Sequence, residues 1–206
     1  MSSSSLGHAR WRRGGGTRRR DLQETVVESV NIERVLISAD EIKDKLAEMG
    51  GKITADYAGK DLLMVGILKG AFIVMADLAR HIELPVEFDF MAVSSYGSAT
   101  KTSGVVRILK DLDQEITGRH VLIVEDIIDS GLTLHYLIRN LEVRKPASLE
   151  LAALLIKDGI ERPPLDVKYE GFHIPPEFVV GYGLDYDGKL RNLPYVGIMD
   201  TTGLDD

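Results

Sequence analysis

Two adjacent acids, Glu125 and Asp126, close an apolar run. Two apolar residues later a third acid opens the string Asp129-Ser130-Gly131-Leu132-Thr133. A short glycine-containing loop feeding a helix presents free backbone N–H groups at the positive end of the helix, which suits a phosphate. Ser130 and Thr133 add hydroxyl donors, and Gly131 lets the backbone approach an anion closely. Acids beside a phosphate cradle would repel the ligand unless they grip something else, either sugar hydroxyls or a magnesium–pyrophosphate unit. A phosphorylated ribose presents both ends, a 5-phosphate for the loop and a diol for Glu125 and Asp126. Taken singly, each residue would also serve a plain strand–helix junction with Asp129 as N-cap. Their combination is what points to chemistry.

These residues need a strand and a helix to hold them. HVLIVE (120–125) reads as a strand buried on both faces, and LTLHYLIRNLEVRK (132–145) as a helix stopped by Pro146. The acids then stand at the carboxyl end of a strand, where open α/β sheets bind their ligands. DLLMVGIL (61–68) and LELAALLIK (149–157) are further continuous apolar runs suited to a parallel sheet. VEFDFMAV (86–93) alternates and suits a strand nearer an edge. Ile32–Ile37 reads as a strand. Ser38 and Glu41 form a capping box that starts a helix with the stripe Ile42, Leu46 and Met49, which Gly50-Gly51 interrupts or ends. AFIVMADLARHI (71–82) has helical spacing at Phe72, Met75, Leu78 and Ala79. The resulting β-α-β-β-α-β order implies an α/β fold, a mostly parallel twisted sheet flanked by helices. Between two of its strands, SSYGSATKTSG (94–104) is small, polar and too long for a tight hairpin, as a lid or a disordered loop would be.

Composition narrows the classes. With 206 residues, 44% hydrophobic and 28% charged, the chain suits one globular domain. It has no cysteine, which excludes disulfides and thiolate metal sites and fits a cytoplasmic protein. Six arginines and no acid lie in residues 1–20, leaving 19 basic against 32 acidic residues and a net charge of −13 for the remainder. The Ser/Gly-rich tail, 1–22, reads as disordered and lacks the apolar core of a secretory signal, so residues 23–206 form the single domain. An acidic body argues against a nucleic-acid partner. No apolar run approaches the roughly 18 residues of a membrane span. The five histidines show no metal-ligand spacing.

VLIVEDIIDSGLTL (121–134) closely resembles the phosphoribosyl-pyrophosphate motif of the type I phosphoribosyltransferases, and its E-D-I-I-D-S-G form is similar to the hypoxanthine-guanine branch of that family. The resemblance runs from about residue 30 to residue 203 and omits the tail. It implies the type I fold, with a core of about 38–165 and a small hood lobe built from about 23–37 and 166–206. Leu68-Lys69-Gly70 would hold pyrophosphate through a turn with a cis peptide. The chain has Gly70-Ala71 where the family often has two glycines. Ser95, Tyr96 and Gly97 would open a lid that excludes water from a reactive C1 cation. Lys157, which could otherwise simply snorkel, would donate to the purine 6-oxo oxygen. Phe178 would stack on the purine, Val179 would read the base through its backbone, and Arg191 would reach pyrophosphate. Asp185 would coordinate magnesium (Mg2+) and assist at the base, with Glu125 and Asp126 as further metal candidates. Asp129 would handle the purine N7 proton. Ser130, Gly131, Leu132 and Thr133 would cradle the 5-phosphate, Leu132 standing where the family can have lysine.

The implied reaction has N9 of hypoxanthine or guanine displacing pyrophosphate from phosphoribosyl pyrophosphate to give IMP or GMP, a step of purine salvage. The rival readings are a relative that uses xanthine or another base, and an RNA-binding regulator on the same fold. The resemblance further implies a homodimer or homotetramer, with no nucleic acid and no membrane among its partners.

Overall fold

The computed structural model describes residues 32–96 and 105–200. The tail 1–22, the first part of the expected hood, Gly97 with the rest of the polar loop, and residues 201–206 lie outside them.

The elements run β1 (Ile32–Ile37), α1 (Ala39–Asp56), β2 (Leu62–Leu68), α2 (Phe72–Ala79), β3 (Val86–Tyr96) and β4 (Val105–Lys110), then β5 (His120–Ile128), α3 (Leu132–Glu142), β6 (Ser148–Lys157), β7 (Tyr169–Ile174), β8 (Val179–Val180) and β9 (Val196–Met199). Six strands form one sheet in the order β4-β3-β2-β5-β6-β7. All its pairings are parallel except β3–β4. This is the expected α/β fold. The continuous apolar runs are buried on both faces because helices and loops cover both sides of the sheet. On β2, Leu62 and Met64 pack towards α1 and α2, while Leu63, Val65 and Ile67 pack towards α3. Burying each such side chain contributes about 1.5–3 kcal/mol. Among the described residues no helix is long and apolar enough to cross a membrane.

A second, antiparallel sheet, β1-β9-β8, joins the two ends of the described chain. Tyr169–Ile174, on the hood side of the division expected near residue 165, is the sixth strand of the large sheet.

Several local expectations change. The capping box at Ser38 forms, with Glu41 N–H donating to Ser38 Oγ and Ser38 N–H to Glu41. However, α1 continues through Gly50-Gly51 to Asp56. A Cβ on Gly50 would lie 2.5 Å from His81 Cβ, so this glycine serves close packing after α2 instead of ending a helix. Phe72 is exposed, and α2 buries Val74, Met75 and Leu78. The backbone of Ser94, Ser95 and Tyr96 belongs to β3, paired with Arg107, Val106 and Val105 of β4. Ladder hydrogen bonds use the main chain, so polar residues can extend an edge pairing. Strand β4 itself went unread, because Leu109 points an apolar side chain to solvent and obscures its alternation.

Candidate active site

Strand β5 runs three residues beyond the reading from sequence, to Ile128, and carries Glu125 and Asp126 into its last turn-facing stretch. Asp126 is only 9% exposed. Its Oδ1 accepts the N–H of Ile127 at 2.9 Å. Burial pushes the Asp126 carboxyl up to about 6, although the Arg191 guanidinium pulls the other way. The Glu125 carboxyl, in densely packed surroundings, is raised well above the usual range, first by desolvation and then by its neighbour Asp126.

A raised acid makes a stability prediction. Below about pH 4, Asp126 is protonated both folded and unfolded, so burial costs nothing. As pH rises through 4 to 6 the unfolded chain ionises first, and stability falls. Above about 6 the full penalty, on the order of 3 kcal/mol, persists. Asp126→Asn should therefore raise the Tm of the ligand-free, magnesium-free protein at pH 8 by about 6–12 °C, and the gain should shrink towards pH 4. A gain that does not change with pH would show that Asp126 is not the titrating group.

After β5 the chain turns through Asp129 and Ser130 into α3. Gly131 is the N-cap, with φ 67° and no side-chain cap. The first-turn N–H groups therefore have no intrahelical acceptor and face outward with the helix dipole. Ser130 and Leu132 are exposed; Gly131 and Thr133 are half-buried.

Three other segments converge on this end. The turn after β2 has its cis peptide at Leu68–Lys69. It brings Gly70 so near Asp126 that a Cβ there would lie 1.7 Å from the Asp126 carboxylate. Strand β6 delivers Lys157, whose Nζ donates to Asp129 Oδ2 at 2.8 Å. The segment after β7 supplies Phe178, 43% exposed, and buried Val179. Phe178 meets Tyr186 edge-on at 6.1 Å.

Beyond β8 the chain turns at Gly181–Leu184. Gly183, at φ 103°, lies so close to the first turn that a Cβ would be 2.3 Å from Gly70 O. Asp185 pairs with Arg191 at 2.6 Å and accepts the N–H of Gly188 at 2.8 Å. Arg191 also donates to Gly183 O at 2.6 Å. Gly70, Asp126, Asp129, Lys157, Phe178, Val179, Asp185 and Arg191 line one cleft of about 270 Å³, together with Ile127 and Leu184.

The structure thus brings eight of the seventeen site residues singled out from sequence into one cleft, while Glu125, on β5, and Ser130–Thr133, where the chain turns into α3, are not among those lining it. The exposed Lys69 side chain is not among the cleft-lining residues. Ser95 and Tyr96 are placed by their backbone at the end of β3, and Gly97 lies outside the described residues.

Several participants went unread. Ile127 and Leu184 wall the cleft but look like ordinary core residues in sequence. Arg162, in the loop after β6, donates to Lys157 O and ties down the strand end. Nothing in its neighbourhood, E-R-P-P, signals that role. Among the described residues no three His, Cys, Asp or Glu side chains gather into a ready-made metal site. A cation here would complete its shell with ligand oxygens.

The phosphoribosyl transferase domain family matches residues 38–187 of the chain. The hypoxanthine-guanine phosphoribosyltransferase of Mycobacterium avium is 54% identical over 176 residues, covering 82% of this chain and 87% of that protein. That of Bacillus subtilis (strain 168) is 49% identical over 169 residues, covering 82% and 94%. Among solved structures, a hypoxanthine phosphoribosyltransferase from Staphylococcus aureus superposes with a TM-score of 0.83 at 42% identity, covering 88% of this chain and 98% of that one.

Proposed function

The chain belongs to the phosphoribosyltransferase family, and we propose that the cleft at the carboxyl end of β5 is where it transfers the phosphoribosyl group. The reaction is attack of hypoxanthine or guanine N9 on C1 of phosphoribosyl pyrophosphate, giving IMP or GMP and pyrophosphate in purine salvage. One observation supports this placement above the others. Asp129 and Lys157 hold a carboxylate and an ammonium side by side, 2.8 Å apart, in a cleft that also contains Phe178. A 6-oxopurine presents an oxygen acceptor and a neighbouring N7 in the same side-by-side arrangement.

In this reading Lys157 donates to O6, Phe178 stacks on the ring, and the Val179 backbone reads the base edge. Asp129 takes or returns the N7 proton as N9 attacks. Glu125 and Asp126 hold the ribose hydroxyls, and their negative potential favours the cationic sugar of the transition state. The Ser130–Thr133 loop holds the 5-phosphate through N–H groups and hydroxyls. Lys69, Gly70 and Arg191 hold pyrophosphate, the first two through the backbone of their turn. Ser95, Tyr96 and Gly97 belong to the lid that keeps water from C1.

Magnesium would take hard carboxylate oxygens from Asp185 and Asp126, which line the cleft, with substrate oxygens completing the shell, and Glu125 is the neighbouring candidate. When bound, the ion neutralises charge on the departing pyrophosphate. Phosphoribosyl pyrophosphate is too highly charged to cross a bilayer unaided, which supports a cytoplasmic site of action. Self-association as a homodimer or homotetramer belongs to the same reading, and sedimentation would test it.

The direct test incubates the protein with magnesium, phosphoribosyl pyrophosphate and each free base in turn. Magnesium-dependent conversion of hypoxanthine and guanine, without adenine or uracil, is the expected outcome. Turnover of a different base would keep the sugar-phosphate site and discard the base-site roles. Binding of the sugar substrate without any turnover would favour a regulator. A sharper test is Lys157→Ala. It should narrow the preference for hypoxanthine over adenine by about 10–100-fold in kcat/KM, the worth of a hydrogen bond to a charged group. An unaltered preference would remove Lys157 from base selection.

A further inference from the structure

The hydroxyl of Tyr182 donates to Asp77 Oδ2 at 2.7 Å, across 105 residues of sequence. Neither residue lines the cleft, yet each is one short step from it. Tyr182 precedes Gly183, which touches Gly70, and follows Gly181, whose N–H and C=O close a two-way bridge with Leu184. Asp77 lies in α2, the helix that starts two residues after Gly70. Tyr182 is 8% exposed, with φ 48°, and its N–H donates to Leu193 O at 2.9 Å. A non-glycine residue in this conformation is held there by its surroundings. The ring belongs to the same buried core cluster as Ile42, Leu46, Met75 and Leu78 of α1 and α2. Burial and the Asp77 carboxylate raise the Tyr182 phenol, so it remains a hydroxyl donor at all working pH values. Arg80 Nη1 holds the other oxygen of Asp77 at 2.7 Å and fixes its orientation.

We infer that the Tyr182–Asp77 bond makes Tyr182 a positioning residue, which sets the Gly183–Arg191 loop against the Gly70 turn and so shapes the pyrophosphate end of the site. The inference rests on the proposed placement of pyrophosphate between Gly70 and Arg191. Three attachments fix one loop on the other: Gly183 against Gly70, the Tyr182 ring in the core of α1 and α2, and the phenol on Asp77, which is the directional one. Without the hydroxyl the first two remain, but they are non-directional and the loop can pivot about them. Asp185 and Arg191 then move together, because they are ion-paired and Arg191 also holds Gly183 O. The opposite end, Lys157 at the end of β6 and Asp129 just beyond β5, is held together by its own ion pair. The expected defect is therefore one-sided.

The test measures reverse-direction kinetics with IMP and magnesium pyrophosphate, and forward kinetics with hypoxanthine. Tyr182→Phe removes one oxygen. It should raise the KM for pyrophosphate about tenfold, the scale of one hydrogen bond to a charged group, while leaving the KM for hypoxanthine within about twofold. Asp77→Asn keeps an acceptor oxygen and should stay near the parent. A parental pyrophosphate KM in Tyr182→Phe would overturn the inference, even if Tm fell, since the bond would then serve the fold alone. Equal losses for both substrates, or Asp77→Asn as impaired as Asp77→Ala, would also overturn it. Absence of pyrophosphate-dependent turnover by the unsubstituted protein would overturn the underlying reading as well, so the two failures are distinguishable.

Discussion

Asp129→Asn should lower kcat about 10²-fold while leaving the Kd of phosphoribosyl pyrophosphate nearly unchanged. The two side chains have the same shape. Asparagine can present an oxygen to Lys157 Nζ, as Asp129 does at 2.8 Å, so the architecture of the cleft should survive. What disappears is the capacity to hold a proton. General acid–base groups contribute typically 10²–10⁴-fold, and the lower end applies here because the leaving group is already a good one. The groups proposed to hold the ribose and the 5-phosphate are untouched, so sugar-substrate affinity should hold. An interaction made only in the transition state lowers kcat and kcat/KM together. Steady-state kinetics with an equilibrium measurement of sugar-substrate binding make the test. An unchanged kcat would remove Asp129 from proton transfer and leave it as a partner of Lys157 alone.

Gly183→Ala should destabilise the protein by about 3 kcal/mol or more and cut kcat/KM by at least about 10²-fold. Two costs coincide. The new Cβ would lie 2.3 Å from a backbone oxygen, Gly70 O, which cannot rotate away, and φ is 103°, where L side chains are strained. Relief requires moving either the Gly70 turn or the Gly183 loop. The second movement carries Arg191 with it, because Gly183 N–H donates to Arg191 O at 3.0 Å and Arg191 to Gly183 O at 2.6 Å. In a domain of this size the Tm should fall by about 6–12 °C. Gly188→Ala is the control, because Gly188 shares a positive φ, 76°, but a Cβ there meets nothing within 4 Å. It should cost only about 1 kcal/mol. If both alanine variants behave alike, backbone conformation explains the effect and the Gly70 contact contributes little.

Residues whose roles depend on near neighbours were legible from the chain alone. The buried strands β2, β5 and β6 announced themselves as continuous apolar runs. The capping box at Ser38 needs only residues 38–41, and the glycine-containing turn into α3 only residues 129–133. Positions where packing outweighed local preference were misread. Gly50 has the composition of a helix stop, yet it lies inside α1 because His81 needs the space. Ser94–Tyr96 has the composition of a loop, yet the edge of the sheet recruits its backbone.

The pairing of side chains across the site belongs to the tertiary structure. Asp129 and Lys157 each stood out in the chain, but nothing local said that they touch. Parallel pairing of β5 with β6 sets Ile127 against Leu155 and Ile128 against Ile156, so the residues just beyond emerge side by side. A shift of one residue in that register would turn Lys157 to the other face of the sheet. Likewise Gly183 meets Gly70, and Tyr182 meets Asp77, only because β8 and β9 bring the late loop back over the start of α2. Local sequence therefore determined which groups could do chemistry and which segments could carry them. Strand register and the return of the chain decided which groups meet, because contacts between distant residues are set by the burial of the whole core.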